Sequence, residues 1–243
     1  MRLGTIGLWC TAFAVVAALA AAFGHRTRIV PLGPAFLLFG AGLLAALIAA
    51  AVSVLGLIFA LMRTPRTEGV LAQSALALVL AIAVIAIPTL GVLLNRGSGL
   101  PAIHDITTDL EDPPAFVDVL PLRADAANPS EYGGPGIAAQ QRRAYPDILP
   151  VTIDQPPEQV FDRALATVQE LGWTVAASNR QAGRIEATDT TFWFGFKDDV
   201  VVRIRPANGG SRVDVRSLSR VGGGDVGTNA KRIRTFMERL RRT

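Results

Sequence analysis

The chain has 243 residues, half of them hydrophobic and only 18% charged, with a mean hydropathy of +0.37. Soluble domains of this size carry about a quarter charged residues, so a uniform soluble domain is excluded: the chain is membrane-embedded or divided into unlike halves. The net charge of +4 does not point to nucleic acid, because Arg2, Arg26, Arg28, Arg63 and Arg66 against Glu68 place the whole excess before residue 95, and residues 95–243 hold 19 basic and 19 acidic side chains. No basic nucleic-acid-binding domain is indicated, since that needs clustered positive charge.

Three apolar segments come first. Thr5 to Phe23 runs 19 residues without a charge, Ala35 to Met62 runs 28, and Val70 to Leu94 runs 25 with Pro88 near its end. About 20 apolar residues cross the hydrocarbon core as a helix, so the pattern predicts transmembrane helices over residues 5–23, 35–62 and 70–94. The first segment has the Arg2 and Ala20-Ala21-Ala22 of a cleaved signal, but it is longer than a usual signal core, and a retained helix is favoured. The single cysteine, Cys10, follows the bulky Trp9, which argues against lipidation. Arg63-Thr64-Pro65-Arg66 joins the second and third spans as a short loop. Gly42, Ala46 and Ala50 recur every four residues, a spacing that permits close helix approach and that an ordinary alanine-rich span also produces. No Asp, Glu, Lys, Arg or His lies inside a span; transporters normally keep such a residue at membrane depth, so this part reads as an anchor.

Three spans put the two ends of the anchor on opposite faces. Arg2, Arg63 and Arg66 then flank one face, and Arg26, Arg28 and Arg96 the other. The positive-inside rule ties on this count; the third span alone favours its Arg63/Arg66 end inside, with everything after Leu94 outside the cytoplasm.

Residues 95–147 are rich in proline and slightly acidic, a composition that cannot build its own core. Ile103, Ile106, Phe116, Val117, Val119 and Leu120 are too apolar for a free linker, and an arm laid over the following domain is expected. His104 beside Asp105 and Asp109 offers an imidazole and carboxylates for a metal or a general base, although a metal site needs three or four convergent ligands; local turns account for the same residues.

Residues 148–243 read as one α+β domain. Ile148 to Ile153 is a strand, and Pro156-Pro157-Glu158 opens a helix with Val160, Phe161, Ala164, Leu165, Val168 and Leu171 at helical spacing. Strands are expected over 173–177, 184–196, 199–205 and 211–218, with Asn208-Gly209-Gly210 as a hairpin turn. A last helix from about Val226 to Arg241 carries the stripe Val226, Ala230, Ile233, Phe236/Met237 and Leu240. The expected fold class is thus α+β: three transmembrane helices, a proline-rich arm, then a small antiparallel sheet with two helices on one face, in the order β-α-β-β-β-β-α.

Two features of this domain suggest binding. On a strand over 184–196, Phe192, Phe194 and Phe196 would line one face and Trp193 the other, a surface for an apolar ligand or packing for the core and arm. The glycine-rich run Ser217 to Asn229 leads into the last helix; such helix starts cradle anions, while Asp225 at its mouth repels phosphate and suits an N-cap. Lys231, Arg232, Arg234, Arg239, Arg241 and Arg242 make this helix basic on its expected outer side. That face either rests on anionic headgroups, at roughly 1 kcal/mol per residue, or is solvated and paired locally.

Ser219-Arg220-Val221-Gly222, Asp225, Gly227, Asn229-Ala230 and Arg232-Ile233 resemble the signature of domain-of-unknown-function family 1499. Ile106-Thr107-Thr108-Asp109 with Pro113-Pro114-Phe116, Ala144-Tyr145-Pro146-Asp147-Ile148 and Phe196-Lys197-Asp198-Asp199-Val200 are similar to its other landmarks. The resemblance spans about residues 103–243 and implies a bacterial membrane protein; the family carries no activity to transfer. The resulting expectation is a multi-pass protein of the bacterial inner membrane presenting an extracytoplasmic α+β domain. That domain would bind a lipid, an envelope component or a protein partner, with Trp193, Phe194, Arg220, Asp225 and Asn229 as binding candidates and no catalytic residue, metal or cofactor assigned. The alternatives are a membrane-surface enzyme using Asp109, Arg220, Asp225 and Asn229 with His104 as base, and a purely structural assembly partner.

Overall fold

A computed structural model of the chain describes residues 2–62, 68–97 and 99–242; the loop Arg63-Thr64-Pro65-Arg66 lies outside them. The chain divides into two compact units. One is Met1–Ser98 together with the four residues Phe192–Gly195, and the other is Gly99–Thr191 with Phe196–Thr243.

The first unit is built on α1 (Arg2–Arg26), α2 (Leu32–Leu61) and α3 (Glu68–Gly97). Each is long and apolar enough to cross a membrane, with mean hydropathies of 2.2, 2.7 and 2.8 over Leu3–Arg26, Leu32–Leu61 and Gly69–Leu93. Small residues face inward: Gly42, Ala46, Ala49, Ser53, Gly56 and Ala60 are buried on α2. The expected four-residue spacing of Gly42, Ala46 and Ala50 is corrected at its last member, because 3.6 residues per turn keep a seam in place only by alternating steps of four and three. Leu37, Leu44, Ile48, Leu55 and their like point outward, as lipid-facing side chains do. Pro88 stands inside α3, five residues before the end of the apolar span at Leu93. The Thr89 hydroxyl donates to the Ile85 carbonyl at 2.7 Å beside it, one of the local adjustments that let membrane helices carry proline.

The second unit holds a six-stranded antiparallel sheet: β1 (Asp105–Thr107), β2 (Val151–Ile153), β3 (Thr174–Asn179), β4 (Arg184–Thr190), β5 (Lys197–Ala207) and β6 (Gly210–Ser219). Its order is β1-β6-β5-β4-β3, with β2 beside β1 on the same edge of β6. Three helices accompany it, α4 (Gly134–Ala144), α5 (Pro157–Glu170) and α6 (Thr228–Arg242), so the α+β class holds. Side-chain alternation splits the sheet cleanly. Ile185, Ala187, Val200, Val202, Ile204, Val213 and Val215 face α5 and α6, whose Val160, Phe161, Val168, Ile233, Phe236 and Leu240 complete the main core. Trp173 stacks on Phe236 with ring centroids 5.8 Å apart. On the other face Val201 and Leu218 meet Phe116 and Val119 of the proline-rich stretch.

That stretch is folded. It supplies β1, a 3-10 turn over Leu120–Arg123 and α4, where Pro135 sits in the first turn and needs no amide partner. Most boundaries differ from expectation by one to three residues, and two differences have a clear physical cause. The strand expected over 184–196 ends at Thr190, because β4 and β5 pair from Arg184↔Arg203 to Thr190↔Lys197 and the intervening residues must make the connection. The last helix begins at Thr228, not Val226. Val226 has φ +60, outside the helical region, and its side chain is exposed.

Candidate functional site

The glycine-rich connection between β6 and α6 draws four segments together. Ser217 and Ser219 alternate onto the helix-bearing face of the sheet, where Asn229 enters from the first turn of α6. The Ser217 hydroxyl donates to Asn229 Oδ1 at 2.6 Å, and Asn229 Nδ2 donates to Ser219 Oγ at 2.9 Å and to the His104 carbonyl at 3.0 Å. Asp225 closes the turn: one carboxylate oxygen accepts the Gly227 amide at 2.9 Å and the other the Asn229 amide at 2.7 Å. Of these, the Asn229 amide is a donor that the helix start leaves open; because α6 begins at Thr228, Asp225 caps from two residues ahead of the N-cap position that Gly227 holds, not from the N-cap position expected. Burial pushes the Asp225 carboxyl above the usual range, aided by the Asp198 charge and opposed by those two amide bonds. Val226, between Asp225 and Gly227, is a β-branched residue held at positive φ, a strain of about 1–3 kcal/mol borne by the same two bonds.

Arg232, expected on the exposed side of the last helix, is buried. Its guanidinium bonds Asp198 at 2.7 Å, Asp189 at 2.9 Å and Ser217 Oγ at 3.1 Å, and also reaches Asn229 Oδ1. A buried cation needs such partners. The rest of the basic face is partly paired: Arg234 with Asp147 at 2.6 Å, Arg239 with Glu170 at 4.0 Å, and Arg242 with Glu238. Lys231 and Arg241 are exposed.

The structure brings Asp225 and Asn229 together but not the other candidates. Arg220 projects to the opposite face of the sheet, where Nε and Nη2 grip Asp199 at 2.8 Å each and Arg123 Nη1 reaches the same carboxylate at 2.5 Å. Asp109 belongs to a third cluster. It accepts the Glu111 and Asp112 amides at 3.1 and 3.0 Å, and Arg212 and Arg203 at 2.8 and 3.2 Å. Burial tends to raise its pKa, but the Asp112 and Glu111 amides with Arg212 and Arg203 outweigh it and hold the carboxyl below the usual range. His104 contributes a main-chain carbonyl to the Asn229 cluster, while its own Nδ1 is buried without a partner. Trp193 and Phe194 lie in the turn between β4 and β5, so the two-faced aromatic strand is not formed. Among the described residues no group of three or more His, Cys, Asp and Glu is placed to hold a metal ion.

Several polar side chains that build this unit carry no motif. Glu186, fully buried, accepts the Val117 and Val119 amides at 2.9 and 2.8 Å. Arg216 forms a two-pronged pair with Asp105 at 2.9 and 2.8 Å, its guanidinium 5.0 Å from the centre of the Phe116 ring. The signal available in the sequence is the alternation Arg212, Asp214, Arg216 along β6, which marks a charged strand face rather than a solvated one.

An open groove of about 640 Å³ lies where the start of α5 meets the β3–β4 turn, lined by Pro157, Phe161, Gly183, Ile204 and Pro206 with Glu158, Arg180 and Arg205 at its rim. Phe161 and Ile204 form a buried apolar floor. The Arg180 guanidinium stands 4.9 Å from the Phe161 ring centre and pairs with Asp162. Gly183, at φ +60, is required here, since a Cβ would collide with the Ile204 carbonyl.

Residues 105–240 match the model of a family described as a protein of unknown function, DUF1499. No curated protein matches the chain.

Proposed function

The chain belongs to the DUF1499 family of proteins of unknown function, and from that premise we propose that it is a membrane-anchored binding protein whose α+β unit takes a partner in the groove beside Phe161. The groove carries this reading. Its volume falls in the range of ligand sites and its floor is apolar, as such sites are, while Glu158 and Arg180 give its rim both signs of charge; the Arg205 guanidinium is turned to Asp109, Asp112 and Asp214. That combination suits a polypeptide segment better than a single anion or an acyl chain. By contrast, Asp109, Arg220, Asp225 and Asn229 are divided among three clusters, each already engaged by neighbouring protein groups.

The test is a photo-crosslinking residue at Ala182, on the groove lining, in the full chain in native membranes. A covalent adduct of constant mass is expected there and not at Gln140 on the exposed side of α4. The adduct mass distinguishes a polypeptide from a lipid or other envelope component, and adduct levels at Ala182 no higher than at Gln140 sink the groove reading.

We further propose that α1–α3 cross the inner membrane of a bacterium and, on the strength of Arg63 and Arg66 before the third span, that the second unit lies outside the cytoplasm. A phosphatase fused after Thr243 is then active and a GFP fused there is dark; the opposite pair of results refutes the orientation.

A further inference from the structure

The turn Phe192-Trp193-Phe194-Gly195 groups with the three apolar helices and does two things at once. Part of it is held by α1 and α2. Arg26 Nη1 donates to the Phe192 carbonyl at 2.6 Å, and the Phe23 ring meets Phe192 and Trp193 edge-on at centroid distances of 6.3 and 6.1 Å. Phe194 lies 5.7 Å from Phe36 and 5.9 Å from Phe39. Gly195, at φ +67, lets the backbone approach α1, since a Cβ there would stand 3.0 Å from Arg26 Cα. The other part is bare: Phe192 is 66% and Trp193 58% exposed.

The depth of these contacts follows from the helix rise of about 1.5 Å per residue. Phe23 is three residues from the end of α1, and Phe36 and Phe39 are four and seven residues from the start of α2. Phe23 also ends the charge-free run of the first span, and Phe36 and Phe39 stand one and four residues after Ala35 at the start of the second, so the partner rings sit within roughly 6 Å of the span ends. That is the layer where amphipathic segments bury their apolar side chains at the headgroup–acyl boundary, and where Trp is enriched. Two large aromatics left more than half exposed at that level are poorly suited to water and well suited to lipid.

We infer that the Phe192–Gly195 turn is a membrane-interface anchor, inserting Phe192 and Trp193 into the headgroup–acyl boundary of the bilayer that α1–α3 cross. The occupant is the bilayer itself, because the rings that hold the turn belong to the spanning helices. This does not depend on the groove beside Phe161 and stands or falls separately.

The test uses the full chain with Trp9→Phe, reconstituted in phosphatidylcholine vesicles with or without bromine on acyl carbons near the headgroup. The Trp193 signal is the emission lost on adding Trp193→Phe; Trp173 remains in both chains, buried against Phe236. Brominated lipid is expected to quench that difference signal at least about twofold, with aqueous iodide ineffective. Quenching by iodide and not by bromine overturns the inference. A second variant guards against misfolding: Cys10→Ser with Phe192→Cys carrying a spin label should be more accessible to oxygen than to an aqueous nickel chelate, and the reverse order is equally fatal.

Discussion

Two aspartates show how the same side chain takes opposite roles according to its surroundings. Asp225 is buried and its carboxyl is raised above the usual range, so the folded protein holds that proton more tightly than the unfolded chain. Its contribution therefore declines as pH rises from the unfolded Asp value, about 3.9, through the higher folded value. Asp109 is the reverse. Amides and arginines hold it below the usual range, so its stabilisation is present above the unfolded value and is lost as pH falls through the folded one. The cost of Asp225→Asn should shrink between pH 3 and pH 7, whereas the cost of Asp109→Asn should grow. Urea unfolding of the full chain at several pH values, followed through Trp173, measures both, and the same slope sign for the two variants would contradict these environments. That Asp225 caps α6, though not from which position, was legible from the residues alone, because an Asp before a helix start in a glycine-rich run has few other uses. Burial of Arg232 was not, because a basic residue among basic neighbours on a helix gives no sign of Asp189 and Asp198 on two different strands.

At the level of elements, the helices and the β5–β6 hairpin follow directly from periodicity and from Asn208-Gly209. The proline-rich stretch does not, because its order comes from bonds with distant residues. Glu186 holds the Val117 and Val119 amides from nearly seventy residues away, and Arg216 reaches back 111 residues to Asp105. Such pairings leave no local pattern. The aromatic run Phe192-Trp193-Phe194 misleads for a related reason: its strand propensity is high, but Thr191 closes a turn instead. The Thr191 amide donates to the Phe196 carbonyl and the Phe196 amide to the Thr191 hydroxyl, both at 2.9 Å. Gln141 is the sharpest case. Fully buried on α4, it bonds both the amide and the carbonyl of Thr107, at 3.0 and 2.6 Å, acting as a one-residue partner for the edge strand β1. Gln141→Ala should leave both groups unpaired and cost about 2 kcal/mol. Hydrogen exchange at the Thr107 amide should rise well before that of Val213, in the centre of the sheet.

Across the whole molecule, the net charge and the hydropathy belong to the helix unit and the buried ionic networks to the α+β unit, and each unit has its own packing principle. The helices rely on small residues. A Cβ at Gly42 would stand 3.0 Å from the Ala14 carbonyl and 3.3 Å from Ala17 Cβ, so Gly42→Leu forces α1 and α2 apart where there is no hydrophobic drive to reclose them. The sheet relies on large residues: Phe236 is fully buried against Trp173, and Phe236→Ala should cost the α+β unit about 3–5 kcal/mol. Because the two substitutions share no packing partner, each should leave the stability of the other unit unchanged to within about 0.5 kcal/mol. Thermal unfolding of the reconstituted chain should therefore separate them. Gly42→Leu lowers the helix transition and leaves the Trp173 signal in place, and Phe236→Ala does the opposite. A single transition moved by both variants would mean that the two units unfold as one cooperative body, and the division into an anchor and a carried domain would fail.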